Sequence, residues 1–285
     1  MGNQQFRCDI CANNTFRFKK QITKSLGIYS GKSKVVKCRN CGLYSLHPTP
    51  SDLDFKLIYS GYADKGNRID VEKKRLEYIY PQKIELIKKY FDRKDIHILD
   101  IGAGIGGFVS VAKKNGYNIT GVEFEQEQVA LAKHHFNVDL LNTKYEDFVK
   151  TSNIKFDVIH LHHVLEHVQS PKTVINLIKS QLKDEGLLIF EVPNQFFVFP
   201  QFIWFKFGLI HYLKPYHPYH HLYFFSPKTV KILLRITGLK ILELNIKVNP
   251  KEKSLKSHLK YFIAASLNLA TSGLIEVVAI KNEIR

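Results

Sequence analysis

Two rhythms of apolar residues alternate along most of the chain. Short runs rich in β-branched residues predict buried strands, and apolar residues three and four apart predict helices. Strands are expected over 96–101, 118–123, 138–142, 156–162 and 186–192, with an exit turn at Pro193 and Asn194. Helices are expected over 108–114, 126–136, 170–182 and 226–237. Ser170 and Pro171 suit the start of the third helix, and Gly238 suits the end of the fourth. Two last strands follow over 239–247 and 274–281. Five βα repeats and a closing strand pair predict an α/β protein with a seven-stranded, mostly parallel sheet. Upstream, 68–91 reads as an amphipathic helix with Leu76, Ile79, Ile84, Ile87 and Phe91 toward the core and a break or kink at Pro81. A stiff turn with Pro48 and Pro50 precedes a short helix over 51–59, capped by Ser51 or Asp52.

Composition narrows the class. The 285 residues suit about two domains. Hydrophobic residues at 45% and charged residues at 24% exclude a disordered, collagen-like or coiled-coil chain. Lys206, His211 and Lys214 interrupt the longest apolar stretches, so no run of about 20 residues is available to span a membrane. The first residues lack the basic and apolar pattern of a secretory signal, and we read the protein as cytoplasmic. The net charge of +16 favours anionic partners such as phosphates, nucleic acid or an acidic membrane face. A Lys-heavy composition accounts for that charge equally well.

All four cysteines fall early, as Cys8 and Cys11, then Cys38 and Cys41. Two CxxC pairs in a chain without a secretory signal predict a tetrahedral zinc site rather than disulfides. Each short spacer lets a turn aim two sulfurs at one ion, and Gly42 suits the positive φ of the second turn. Four thiolates leave no open position, so the zinc is expected to be structural and to supply much of the folding energy of a segment this small.

The strand ending at Ile101 runs into a glycine turn, Gly102, Gly104, Gly106 and Gly107, and then into a helix. This is the first unit of a doubly wound sheet. Glu123 ends the second strand 21 residues after Gly102, where an acid can bind a ribose diol. Glycine spacing alone also fits a dinucleotide. Asp100 argues against that ligand, because a carboxylate before the turn repels a pyrophosphate. It suits a ligand with an ammonium and a sulfonium, S-adenosylmethionine (SAM). Phe124, Glu146 and His162 complete the expected cofactor contacts.

These residues carry a resemblance. The segments ILDIGAGIGG (98–107), FDVI (156–159), LEHV (165–168) and EVPN (191–194), with Glu123, resemble class I SAM-dependent methyltransferases over about 68–281. The two CxxC pairs, the PTP turn (48–50) and YSGY (59–62) resemble the zinc-ribbon methyltransferases of sugar and polysaccharide biosynthesis. The resemblance implies a Rossmann-like sheet carrying a small N-terminal zinc ribbon. It also implies that Tyr59 and Tyr62 close over the pocket; packing between domains is the alternative. Deoxysugar C-methyltransferases read Tyr-His-Glu-His where this chain has PYHH (218–221), and their long third domain is absent from this chain. Transfer to a hydroxyl or amine is therefore expected rather than to carbon.

A hydroxyl acceptor needs a base, and neutral imidazole suits that role. His221 is the first candidate, then His167 and His220, with Glu166 orienting a histidine; a purely structural role remains the alternative for each. The stretch 195–221 holds ten Phe, Tyr and Trp residues with no Asp or Glu. It reads as a lid over the acceptor, as an interfacial segment meeting an anionic membrane, or as a packed insertion. The expected partner is a small-molecule or glycan acceptor. RNA is the rival, but the aromatic residues cluster in 195–221 instead of interleaving with basic residues in the ribbon. A non-catalytic SAM-binding module is the second rival. The expected organisation is a ribbon over 1–50, a linking helical region over 51–95 and a catalytic domain over 96–285.

Overall fold

The computed structural model describes residues 6–21, 34–49, 65–194, 221–248 and 273–281. The expected helix over 51–59, Tyr59, Tyr62, His220 and the aromatic stretch up to residue 220 lie outside the described residues.

Three strands open the chain: β1 (Phe16–Gln21), β2 (Lys34–Cys38) and β3 (Tyr44–His47). Two helices follow, α1 (Lys65–Tyr78) and α2 (Tyr80–Tyr90). The alternating unit then runs β4 (His97–Ile101), α3 (Gly107–Lys114), β5 (Asn118–Glu123), α4 (Gln126–Phe136), β6 (Leu141–Asn142), α5 (Tyr145–Thr151) and β7 (Phe156–His162). It closes with α6 (Pro171–Gln181), β8 (Leu182–Asn194), β9 (Tyr223–Phe224), α7 (Pro227–Thr237), β10 (Leu239–Val248) and β11 (Gly273–Lys281).

Seven strands form one sheet in the order β10-β11-β8-β7-β4-β5-β6. Pairings from β8 through β6 are parallel, while β11 runs antiparallel to both β8 and β10. The Rossmann-like, mostly parallel sheet expected from the sequence is present. The broken helix over 68–91 is also present: α1 ends at Tyr78, and Pro81 occupies the first turn of α2, where its missing N–H costs nothing. Ser170 caps α6 by accepting from Thr173 N–H, and Gly238 ends α7 at φ +71°.

Two strands differ from expectation. Strand pairing at 138–142 is confined to Leu141 and Asn142. Val138 and Leu140 instead fill the space beside Gly106 and Gly121, where a glycine Cβ would collide with them. The fifth strand does not turn out at Pro193 but continues through Asn194. Pro193 is tolerated because β7 stops pairing at His162–Glu191, leaving only β11 opposite it.

The sheet separates two apolar clusters. On one face Ile84, Ile87, Phe108, Val109 and Ala132 pack from α2, α3 and α4 against Ile98, Val158 and Ile189. On the other, Ile175, Ile178, Leu233 and Leu234 from α6 and α7 cover Leu99, Ile159 and Phe190. Val35, Leu43 and Leu46 of the N-terminal sheet belong to this second cluster. The sequence pattern did not anticipate why. Strand β9 pairs antiparallel with β3 (Tyr44–Phe224 and Ser45–Tyr223), so the small sheet has the order β1-β2-β3-β9. Asp9 adds a second tie, accepting from Ser170 Oγ at 2.5 Å and from Lys172 N–H at 2.9 Å, at the start of α6. Among the described residues no helix is long and apolar enough to cross a membrane.

Sheet register aligns charged residues near the carboxyl ends of the strands. Glu191 lies opposite His162 on one side and Glu276 on the other. Lys83 of α2 descends onto this row, 2.6 Å from Glu191 and in contact with Glu276; Lys247 joins Glu276 at 2.6 Å. Removing one member of a buried pair strands the others, at a cost of about 3–5 kcal/mol. Lys83→Met is therefore expected to lower the unfolding free energy by about that much in urea titration. Wild-type stability would show that α2 is held by apolar packing alone.

Candidate functional site

A cleft of about 850 Å³ opens at the carboxyl ends of β4, β5 and β7, under α1. That volume suits a nucleoside-sized ligand. Asp100, Gly102, Gly104, Glu123, Phe124 and Glu146 line one part of it. His162, His167 and His221 line another. Gly106 and Glu166 are not among the lining residues, while Gly106 stands at φ +79° with Val138 and Ala132 against its α-carbon.

The glycine turn begins at Gly102, whose φ is +67° and whose α-carbon abuts Val164 closely enough to exclude a Cβ. Gly104 N–H donates to Glu123 Oε2 at 2.9 Å, and Glu125 N–H donates to Oε1 at 3.0 Å. Each carboxylate oxygen keeps further acceptor capacity for a ligand hydroxyl. Burial nonetheless pushes the Glu123 carboxyl up to about 7. Phe124 is half exposed beside it and offers a ring face. Asp100 is buried and accepts from His160 Nδ1, 2.7 Å from its Oδ1.

Imidazoles line the opposite part, and one carboxylate, Glu166, is buried behind them. Glu166 is fully buried, and its Oε1 accepts from His163 Nδ1 at 2.9 Å. Burial opposes its ionisation, but that hydrogen bond and the nearby His167, His163 and His221 hold its carboxyl down at about 2. His167 Nε2 lies 3.8 Å from Glu166 Oε1, and the His167 and His221 rings meet edge to face at 4.8 Å. Glu166 thus fixes the His163 ring by a hydrogen bond and places its charge near His167. His163 adopts φ +58° while donating its N–H to Glu191 O, a strained conformation of the kind that concentrates at functional sites. His162 and Glu191 approach to 2.9 Å without hydrogen-bond alignment. Burial drives His162 down to about 3, so its imidazole is neutral.

Several lining residues escaped the sequence reading. Arg75 of α1 faces the cleft and donates to Glu72 Oε2 at 3.1 Å, with Tyr80 Oη donating to the other Glu72 oxygen. Arg68 lies 3.6 Å from Glu125. Nothing in an amphipathic pattern marks these two arginines, because both sit on the half-exposed flank of α1. His160 and Asp100 are paired by the β4–β7 register, which sequence alone does not supply.

In the N-terminal sheet the four cysteines converge. Cys8 and Cys41 sulfurs are 3.5 Å apart, as are those of Cys11 and Cys38, and all four lie within 4.8 Å of one another. An ideal four-thiolate zinc site has sulfur separations of about 3.8 Å, so this donor set fits that ion. Glu166, His167 and His221 are a second group with donor atoms within 4.8 Å.

Similarity to known proteins agrees with this architecture. A family model described as a methyltransferase domain matches residues 73–244. The chain is 35% identical over 131 residues to the ubiquinone biosynthesis O-methyltransferase of Actinobacillus pleuropneumoniae serotype 7, covering 42% of this chain and 53% of that protein. It is 32% identical over 129 residues to the same-named protein of Coxiella burnetii, covering 44% and 55%. The chain thus spans about half the length of the curated relatives it matches. Among solved structures, a SAM-dependent methyltransferase from Archaeoglobus fulgidus superposes at a TM-score of 0.50, with 19% identity, over 72% of this chain and 94% of that one. The plantazolicin methyltransferase BpumL, in complex with SAH, superposes at 0.51 with 19% identity, over 82% and 92%. Both share the fold.

The raised Glu123 carboxyl makes stability pH-dependent. A folded-state pKa above the unfolded value favours the folded protein at low pH, and the advantage is lost as pH rises from about 4.5 to about 7. The unfolding free energy of unliganded wild type, measured against Glu123→Gln, should therefore fall by up to about 3 kcal/mol over that interval. A constant difference across the interval would show that folding leaves the Glu123 carboxyl unshifted.

Proposed function

We propose, for a chain that belongs to the methyltransferase domain family, that the cleft binds SAM and that the protein methylates a hydroxyl on a small organic acceptor. The observation carrying this reading is the division of one cleft into a two-carboxylate part, Asp100 and Glu123, and a histidine part held by Glu166. SAM bound there would supply an electrophilic methyl group on a sulfonium, with a neutral thioether as the leaving group.

Glu123 accepts the two ribose hydroxyls, and Gly104 and Glu125 fix its orientation through their N–H groups. Asp100 faces the ammonium, and Arg75 supplies a guanidinium for the carboxylate of the same ligand. Phe124 and Glu146 border the base. His221, with His167 beside it, would take the proton from the acceptor hydroxyl. Ionised Glu166 stabilises the imidazolium that results, through charge at short range. That the relatives are named O-methyltransferases supports oxygen as the acceptor atom. The carbohydrate class rests on the N-terminal motifs alone, since the family match begins at residue 73.

The four cysteines hold a structural zinc ion, which keeps β3 in place to pair with β9. In this reading the ribbon braces the histidine part of the cleft and takes no part in the chemistry.

Calorimetry tests the cofactor assignment. Asp100→Ala and Glu123→Ala are each expected to weaken SAM binding at least about tenfold, the loss of a charge-assisted hydrogen bond. Unchanged affinity in both would remove the assignment. Acceptors are then sought with radiolabelled methyl transfer to sugar nucleotides, catechol-type phenols and bulk RNA. On the accepted class, His221→Ala should cut turnover by about a hundredfold with SAM affinity retained; full activity would exclude it as the base. For the metal, elemental analysis should find one zinc per chain, lost in Cys38→Ser together with thermal stability. A metal-free wild type of normal stability would refute the zinc ribbon.

A further inference from the structure

We infer that His160 is a positioning residue that holds Asp100 ready for the α-ammonium of the cofactor; this rests on the cofactor reading above. Strand register brings the two together, because Asp100 lies directly opposite His160 in the parallel β4–β7 pair. Their side chains therefore share one face of the sheet. The imidazole Nδ1–H donates to Asp100 Oδ1 at 2.7 Å, with both residues buried and both lining the cleft. The ring lies against Phe108 of α3 at 4.3 Å between centroids.

Packing alone does not account for a histidine here. Its Nε2 is buried and without a hydrogen-bond partner. An apolar side chain would fill the same space against Phe108 with no stranded polar atom. The ring's bonded nitrogen is the one that faces the carboxylate. Asp100 in turn needs that donor, since a buried carboxylate without one is free to rotate toward any nearby N–H. With Oδ1 fixed by His160, the remaining acceptor positions of Asp100 are oriented into the cleft toward a cation. The assignment predicts selectivity. His160 matters for ligands that carry an α-ammonium and not for those that lack it.

Three ligands separate these roles in calorimetric titration of the full chain: SAM, S-adenosylhomocysteine and 5′-methylthioadenosine. The first two carry the amino-acid ammonium, and the third has the same adenosine without it. His160→Leu removes the donor. His160→Asn keeps an N–H close to the position of Nδ1. The expected result is that Leu weakens SAM and S-adenosylhomocysteine alike by roughly tenfold, leaves methylthioadenosine within about twofold, and that Asn recovers most of the loss. Methylthioadenosine binding also reports that the variants fold. Three results would overturn the inference: His160→Leu binding SAM as wild type does, His160→Leu losing all three ligands equally, or Asn behaving like Leu. A wild-type protein that bound none of the three would instead overturn the cofactor reading, and this inference with it.

Discussion

Glu166 is the residue through which the parts of this molecule constrain one another. Its side chain is fully buried and charged, and His163 donates to it. Its backbone carbonyl accepts N–H groups from Leu222 at 2.7 Å and Tyr223 at 3.2 Å. Tyr223 begins β9, which completes the N-terminal sheet through β3. Tyr223 Oη donates to Gln169 O, and Leu46 N–H donates to Leu222 O. A buried carboxylate tolerates few arrangements, because each unsatisfied contact carries a desolvation cost. The loop after β7 is thereby fixed relative to both sheets. His167 and His221 come from segments more than fifty residues apart and reach edge-to-face contact because of it.

The N-terminal sheet gains a physical role from these contacts. It is joined to the larger sheet by strand pairing, by Asp9 at the start of α6, and by a shared apolar cluster that includes Leu43 and Leu46. Its four cysteines converge within 4.8 Å, and its strand β3 pairs with β9. Placed here, it fixes the segment carrying His221 more firmly than a free loop would.

Much of the larger fold was legible because strand and helix periods differ and the caps are explicit. Ser170 with Pro171, and Ser226 with Pro227, announce α6 and α7 without ambiguity. The glycine turn with Asp100 and Glu123 announced the carboxylate part of the cleft for the same reason: tight turns and buried acids demand particular residues at particular spacings. Pairing partners were not legible. The contact of β9 with β3 joins residues about 180 apart, and only two pairs define it. Asp100 with His160, and Glu191 with His162 and Glu276, depend on register across strands, which a one-residue shift would abolish. Arg75 and Lys83 were equally hidden. A basic residue on an amphipathic helix ordinarily faces water, and Lys83 is buried only because Glu191 and Glu276 wait beneath it.

A crystal structure with S-adenosylhomocysteine bound would test the central claim most directly, which is that one cleft joins a carboxylate-bound donor to a histidine-lined acceptor space. Both ribose hydroxyls should lie within hydrogen-bonding distance of Glu123, with the thioether sulfur facing His167 and His221. A ligand bound in the reverse sense, with its ribose among the histidines, or density for it outside this cleft, would contradict the assignment.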